Sequence, residues 1–124
     1  MDRGVIMTEV AKIGVEFWKL IKSYERSVVL LPPDHQAKSK AQIRFSLNRL
    51  KTLLDDAGMS LVTFEGRPFE PNLPVTALNS DDYPDENETL VIDQTIEPTI
   101  LHESDVLLIG KVMLARGRKH VSGN

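Results

Sequence analysis

Cysteine is absent from the 124 residues, which excludes a disulfide framework, a thiolate metal site and a cysteine nucleophile. Histidine is scarce as well: His35, His102 and His120 lie far apart in the chain, so no structural zinc site is expected. No apolar run approaches the ~18 residues needed to span a bilayer. The opening MDRGVIMTEV lacks the apolar stretch of a secretory signal, and the expectation is a soluble, cytoplasmic protein. Neither a phosphate-binding glycine loop nor a glycine-flanked nucleophile elbow around Ser60, Ser80 or Ser104 is found. An enzyme is therefore not expected, and neither is a cofactor. The length suits one domain, or a small domain carrying a helical appendage.

What is present is a strongly uneven charge distribution. Residues 1–67 hold eleven bases and eight acids, residues 68–110 hold ten acids and no base, and the remainder adds four bases. An acidic segment between two basic ends suits a solvated surface or a basic protein partner. It argues against nucleic acid as the ligand of the middle segment, because like charges repel. The basic end (Arg116, Arg118, Lys119 and His120) reads as solvated.

The hydrophobic period divides the chain in two. Val10, Ile13, Phe17, Leu20, Tyr24 and Val28 recur at steps of three and four, which predicts a helix from Thr8, its N-cap, to about Leu31. Pro32-Pro33 ends it. Ile43, Leu47, Leu50, Leu54 and Ala57 continue the period in a second helix starting at Asp34 or Ser39. There Ser39 and Gln42 have capping-box spacing, and Gly58 stops the run. Such a hairpin has little interior of its own. Its stripes either pack on the rest of the chain or complete a four-helix bundle with a second copy, and the dimer is the favoured reading. Its interface would comprise Val10, Ile13, Phe17, Leu20, Tyr24, Ile43, Leu47 and Leu50.

After Gly58 the period shortens to two. Strands are expected at Ser60–Glu65, Val75–Leu78, Thr89–Ile96 and Asp105–Ala115, forming a compact β-sandwich or small barrel. The fold class expected is α+β: a helical dimerisation region over 1–58, an all-β domain over 59–117, and a disordered tail over 118–124. The acidic loop from Asp81 to Glu88 does not suit calcium, because its sixth position is Glu86 where a calcium loop needs glycine. No metal is expected. Trp18, the only tryptophan, lies beside the stripe residue Phe17 and is a candidate partner contact.

The order of these elements, with Leu50–Gly58, Phe64-Glu65-Gly66, Phe69-Glu70-Pro71-Asn72 and Ser80-Asp81-Asp82, resembles the GrpE family of nucleotide exchange factors for DnaK-type chaperones. Lys19–Val28 is similar to the end of that family's long helix, Phe64-Glu65-Gly66 to the strand following its helices, and Lys111–Ala115 to its last strand. The chain departs from the pattern at Pro74-Val75-Thr76, where the family has His-Glu-Ala. It departs again at Asp105 and Leu108, where the family has arginines. The resemblance implies a homodimeric co-chaperone that does no bond chemistry and promotes ADP release from a DnaK-type ATPase. A dimeric adaptor binding such an ATPase, or another protein, without exchange activity is the alternative. Partner contacts are expected at Glu70, Asn72, Asp81 and Asp82, while Phe69 and Pro71 shape the turn and fill the small core.

Overall fold

The first helix, α1, runs from Arg3 to Val28, and the second, α2, from Pro33 to Asp56. The computed structural model describes residues 3–117, so the expected disorder of 118–124 lies outside the described residues. Thr8 does not cap α1. It sits inside the helix, where its hydroxyl donates to the Gly4 carbonyl at 2.9 Å. The reverse turn is built from proline geometry: Pro32 caps α2 at φ −56°, ψ 147° and Pro33 takes the first helical position, where a missing N–H costs nothing. Ser39 and Gln42 therefore lie within α2 rather than at its start. The Gln36 amide closes the turn by donating to the carbonyls of Leu31 at 2.8 Å and Val29 at 3.4 Å. Gly58, at φ +77°, stops α2 in a left-handed conformation that glycine adopts without steric penalty.

α1 buries Ala11, Gly14, Val15, Trp18, Ile21 and Val28, a stripe displaced by about one residue from the one that the hydrophobic period selects. Gly14 permits close approach of the helices, since a Cβ there would stand 3.2 Å from Leu54 Cδ2. Six strands follow: β1 Met59–Val62, β2 Val75–Ala77, β3 Leu90–Glu97, β4 Thr99–His102, β5 Asp105–Leu108 and β6 Gly110–Arg116. They form two three-stranded sheets, β1-β4-β5 and β2-β6-β3, in place of one sandwich or barrel. The fold is α+β, a helical pair followed by a β part. In the second sheet β2 runs parallel to β6 and β3 antiparallel to it. The expected strand over 105–115 is broken at Ile109, where the chain leaves one sheet for the other. β4 escaped the sequence reading.

Two separate cores result. The first joins the helices to the first sheet through Trp18, Ile21, Leu50, Leu54, Met59 and Ile100. The second lies on the other sheet around Phe64, Ile92, Val112 and Leu114. The apolar interior thus crosses the boundary at residue 58, and the first sheet belongs energetically to the hairpin. Where β3 passes through the buried Pro98 into β4, it meets the passage from β5 into β6. There the Thr99 hydroxyl and the Gly110 N–H both donate to the Pro74 carbonyl, at 2.8 Å and 3.1 Å.

Candidate functional site

The acidic loop is positioned by the end of β2. Leu78 N–H donates to the Val112 carbonyl at 2.9 Å, and Asn79 then replaces backbone pairing with its side chain. Asn79 Nδ2 donates to the Leu114 carbonyl at 2.9 Å, and Leu114 N–H donates to Asn79 Oδ1 at 2.8 Å. Ser80–Asp82 follow as a short 3-10 turn, closed by Asp82 N–H to the Asn79 carbonyl at 3.0 Å. Tyr83 anchors its far side: the phenol donates to the Leu114 carbonyl at 3.3 Å, and the Arg116 guanidinium stands 5.2 Å from the ring centre. Arg116 also pairs with Glu88. Asp81 and Asp82 are left exposed to solvent on an anchored turn.

Glu70 and Asn72 are likewise exposed, in the loop joining the two sheets. Phe69 and Leu73, which flank them, pack against the second core, as does Tyr83. Both loops therefore rest on one apolar base. Among the described residues no hydrogen bond or ion pair links Glu70 or Asn72 to Asp81 or Asp82. Phe69 fills the core as expected, whereas Pro71 is exposed. Phe64-Glu65-Gly66 forms a turn rather than a strand: Gly66 has φ +85°, and Arg67 N–H donates to the Phe64 carbonyl at 3.0 Å. No group of three or more His, Asp or Glu side chains among the described residues is placed to hold a metal.

The helical pair presents a second surface. Of the residues expected at a dimer interface, Val10, Ile13, Phe17, Leu20 and Tyr24 are exposed along α1, with Ile13 at 69% and Leu20 at 65%. Ile43 and Leu50 are buried in the chain's own core, and Leu47 is partly buried. All of them except Leu47 line a trough between the helices. One end, of about 250 Å³, runs from Val10 and Ile13 to Leu50 and Leu53. The other, of about 320 Å³, runs from Phe17 and Leu20 to Tyr24 and Ile43. Leu53 at 51% exposure also belongs to this face and escaped the sequence reading. Trp18 does not contact solvent as a partner residue would. It is 4% exposed and packed in the first core.

A salt bridge holds the helices to the second sheet. Lys19 Nζ meets Glu97 Oε2 at 2.9 Å and Glu16 Oε2 at 3.0 Å, and Lys111 Nζ approaches Glu97 Oε1 at 3.4 Å. The hydrogen bond from Lys19 holds the Glu97 carboxyl below the usual carboxylate range. The same bond, with that to Glu16, raises the Lys19 ammonium above its ordinary value. No helix among the described residues is long and apolar enough to cross a membrane. No family model, no curated protein and no solved structure matches the chain.

Proposed function

We propose that this chain is a cytoplasmic homodimeric co-chaperone of the GrpE kind, promoting ADP release from a DnaK-type ATPase. The observation that carries the reading is the pairing of two surfaces on one molecule. An open apolar trough lies on the helical hairpin, and the exposed residues Glu70, Asn72, Asp81 and Asp82 sit on loops fixed to a small β core. The order of elements, two helices and then two small sheets, agrees with what the resemblance implies.

The physical requirement on such a factor is differential affinity. A protein wedge accelerates nucleotide release only by binding the open cleft of the ATPase better than the closed one. The coupling is reciprocal: the wedge and ADP weaken one another equally. A hundredfold effect needs about 2.7 kcal/mol of differential contact, within the reach of a few well-placed side chains. A rigid mount favours this role, because contacts on an ordered loop lose less conformational entropy on binding. The Asn79–Leu114 pairing supplies that mount for Asp81 and Asp82.

Stopped-flow release of a fluorescent ADP analogue from purified DnaK-type ATPases, with and without this protein, tests the reading. Acceleration supports exchange. Binding without acceleration selects the adaptor reading, which Asp105 and Leu108 favour because they stand where the family carries arginines. Absence of binding to every DnaK-type ATPase tried removes the exchange reading and leaves only an adaptor for another protein.

A further inference from the structure

Between α1 and β3 lies a cleft of about 210 Å³ lined by Trp18, Lys19, Lys22, Arg26, Gln94 and Thr95. Lys19, Lys22 and Arg26 are spaced by three and four residues, so their side chains share one face of the helix. No carboxylate lines this cleft. The acids nearby hold the lysines from outside it: Glu16 and Glu97 bridge Lys19, and Glu25 meets Lys22 at 3.3 Å. Lys22 is also held 5.6 Å above the centre of the Trp18 ring. Arg26 is exposed and makes no ion pair or hydrogen bond among the described residues, so its five donors face solvent and are free for a ligand.

One neutral group buried in the same lining has no partner either. Thr95 is 8% exposed, and its hydroxyl is buried with no hydrogen-bond partner. Trp18, 4% exposed, stands beside it in the same lining. Buried polar groups are otherwise almost always satisfied. The lining thus offers an arginine fork without a carboxylate partner, two ammonium groups held at its edge by Glu16, Glu97 and Glu25, and a buried hydroxyl without an acceptor.

We propose that this cleft is an oxyanion site for a phosphoryl group, either free phosphate or the phosphate of a monoester. Arginine and lysine approach from the helix, while Thr95 and Gln94 approach from the strand. A tetrahedral dianion with several acceptor oxygens answers donors converging from two elements, and a planar carboxylate answers fewer of them. The space holds about seven waters at ~30 Å³ each. That admits a phosphate with its remaining hydration and leaves the body of a larger ligand outside. The proposal is independent of the exchange reading.

The test is titration of the full chain with inorganic phosphate, followed by the Trp18 indole N–H resonance, against sodium chloride at matched ionic strength. A saturable shift of Trp18 with phosphate and none with chloride is expected. Arg26→Gln, an exposed position, is expected to weaken binding at least tenfold. Thr95→Val is expected to weaken it several-fold while thermal stability holds or rises, since an unsatisfied hydroxyl is removed. O-phosphoserine titrated in parallel distinguishes the sources: tighter binding than phosphate assigns a monoester, and weaker binding assigns free phosphate. A phosphate response that does not saturate, or that Arg26→Gln and Thr95→Val leave unchanged, overturns the site.

Discussion

Asn79 pairs with Leu114 as one strand residue pairs with another, donating to its carbonyl at 2.9 Å and accepting from its N–H at 2.8 Å through a single side-chain amide. Leu114 is 3% exposed, so its backbone polar groups have little access to water. Asn79→Ala removes both bonds and leaves the Leu114 N–H without a partner. Tyr83 still serves the carbonyl. The expected cost is about 2 kcal/mol, in the range for stranding a buried polar group. Urea unfolding measures it, and a loss below about 0.5 kcal/mol would show that water replaces the clamp.

At Gly110 the surrounding structure leaves no room for a side chain. A Cβ there would lie 2.6 Å from Thr99 Oγ1 and 2.9 Å from the Glu97 carbonyl. Thr99 cannot turn away freely, because its hydroxyl is bonded to the Pro74 carbonyl. Gly110→Ala is expected to destabilise the chain by about 3 kcal/mol, the upper range for overpacking. Adding Thr99→Ala relieves the side-chain clash but not the backbone one, so only partial recovery is expected. Full recovery in the double variant would assign the whole effect to the hydroxyl.

Lys19 and Glu97 are 78 residues apart in sequence, and their bridge predicts a pH dependence at both ends. Glu97 is depressed in the fold below the ordinary 4.5. Its contribution is therefore present above that value and lost as pH falls through the depressed one. Lys19 is raised above the ordinary 10.5, so its contribution is complete below that value and lost as pH rises past the elevated one. The stability difference between wild type and Glu97→Gln should be small, flat between about pH 5 and 10, and absent in acid. A difference that persists unchanged at pH 2 would assign the effect to packing.

The hairpin, its proline turn and the glycine after α2 were legible because each follows from local chemistry: a period, a ring constraint and a left-handed residue. The face was less so. α1 carries two neighbouring apolar stripes, and Phe17 and Trp18 sit on different ones. Periodicity gives the helix without saying which stripe the chain itself covers. The break at Ile109 was hidden because Asp105–Ala115 reads as one aliphatic strand. It is a crossing between sheets only because Gly110 meets Thr99 from another strand. Lys19–Glu97 and Asn79–Leu114 are long-range pairings, and no short window of sequence contains either. Asp81 and Asp82 are legible as part of an acidic run, whereas the Asn79 clamp that holds their turn is not.

The exposed stripe on α1 supplies a test of self-association. Ile13 and Leu20 are among its most exposed members, and neither belongs to the buried core, so Ile13→Glu with Leu20→Glu leaves the fold intact. Sedimentation of the wild type is expected to give a dimer, and of the double variant a monomer with an unchanged circular dichroism spectrum. Charges set in an apolar interface are desolvated without partners, which is enough to dissociate it. A wild type that sediments as a monomer at all concentrations would remove the homodimer from the proposed function.

Asp81 and Asp82 offer the sharpest separation of binding from stability. Both side chains are exposed, and the turn that presents them is closed by backbone bonds, Asp82 N–H to Asn79 and Tyr83 N–H to Ser80, each 3.0 Å. Reversing both charges with Asp81→Lys and Asp82→Lys therefore touches none of the groups that hold the loop. Stability should move by no more than about 0.5 kcal/mol, as for other surface changes. Association with a DnaK-type ATPase should slow markedly at low salt, and the gap to wild type should narrow as salt screens the pair. Dissociation should change less, because exposed rim charges act mainly on encounter. If association rate and affinity are both unaltered at low salt, the partner contacts lie elsewhere on the β part, and the acidic turn is a solvated surface on a rigid mount.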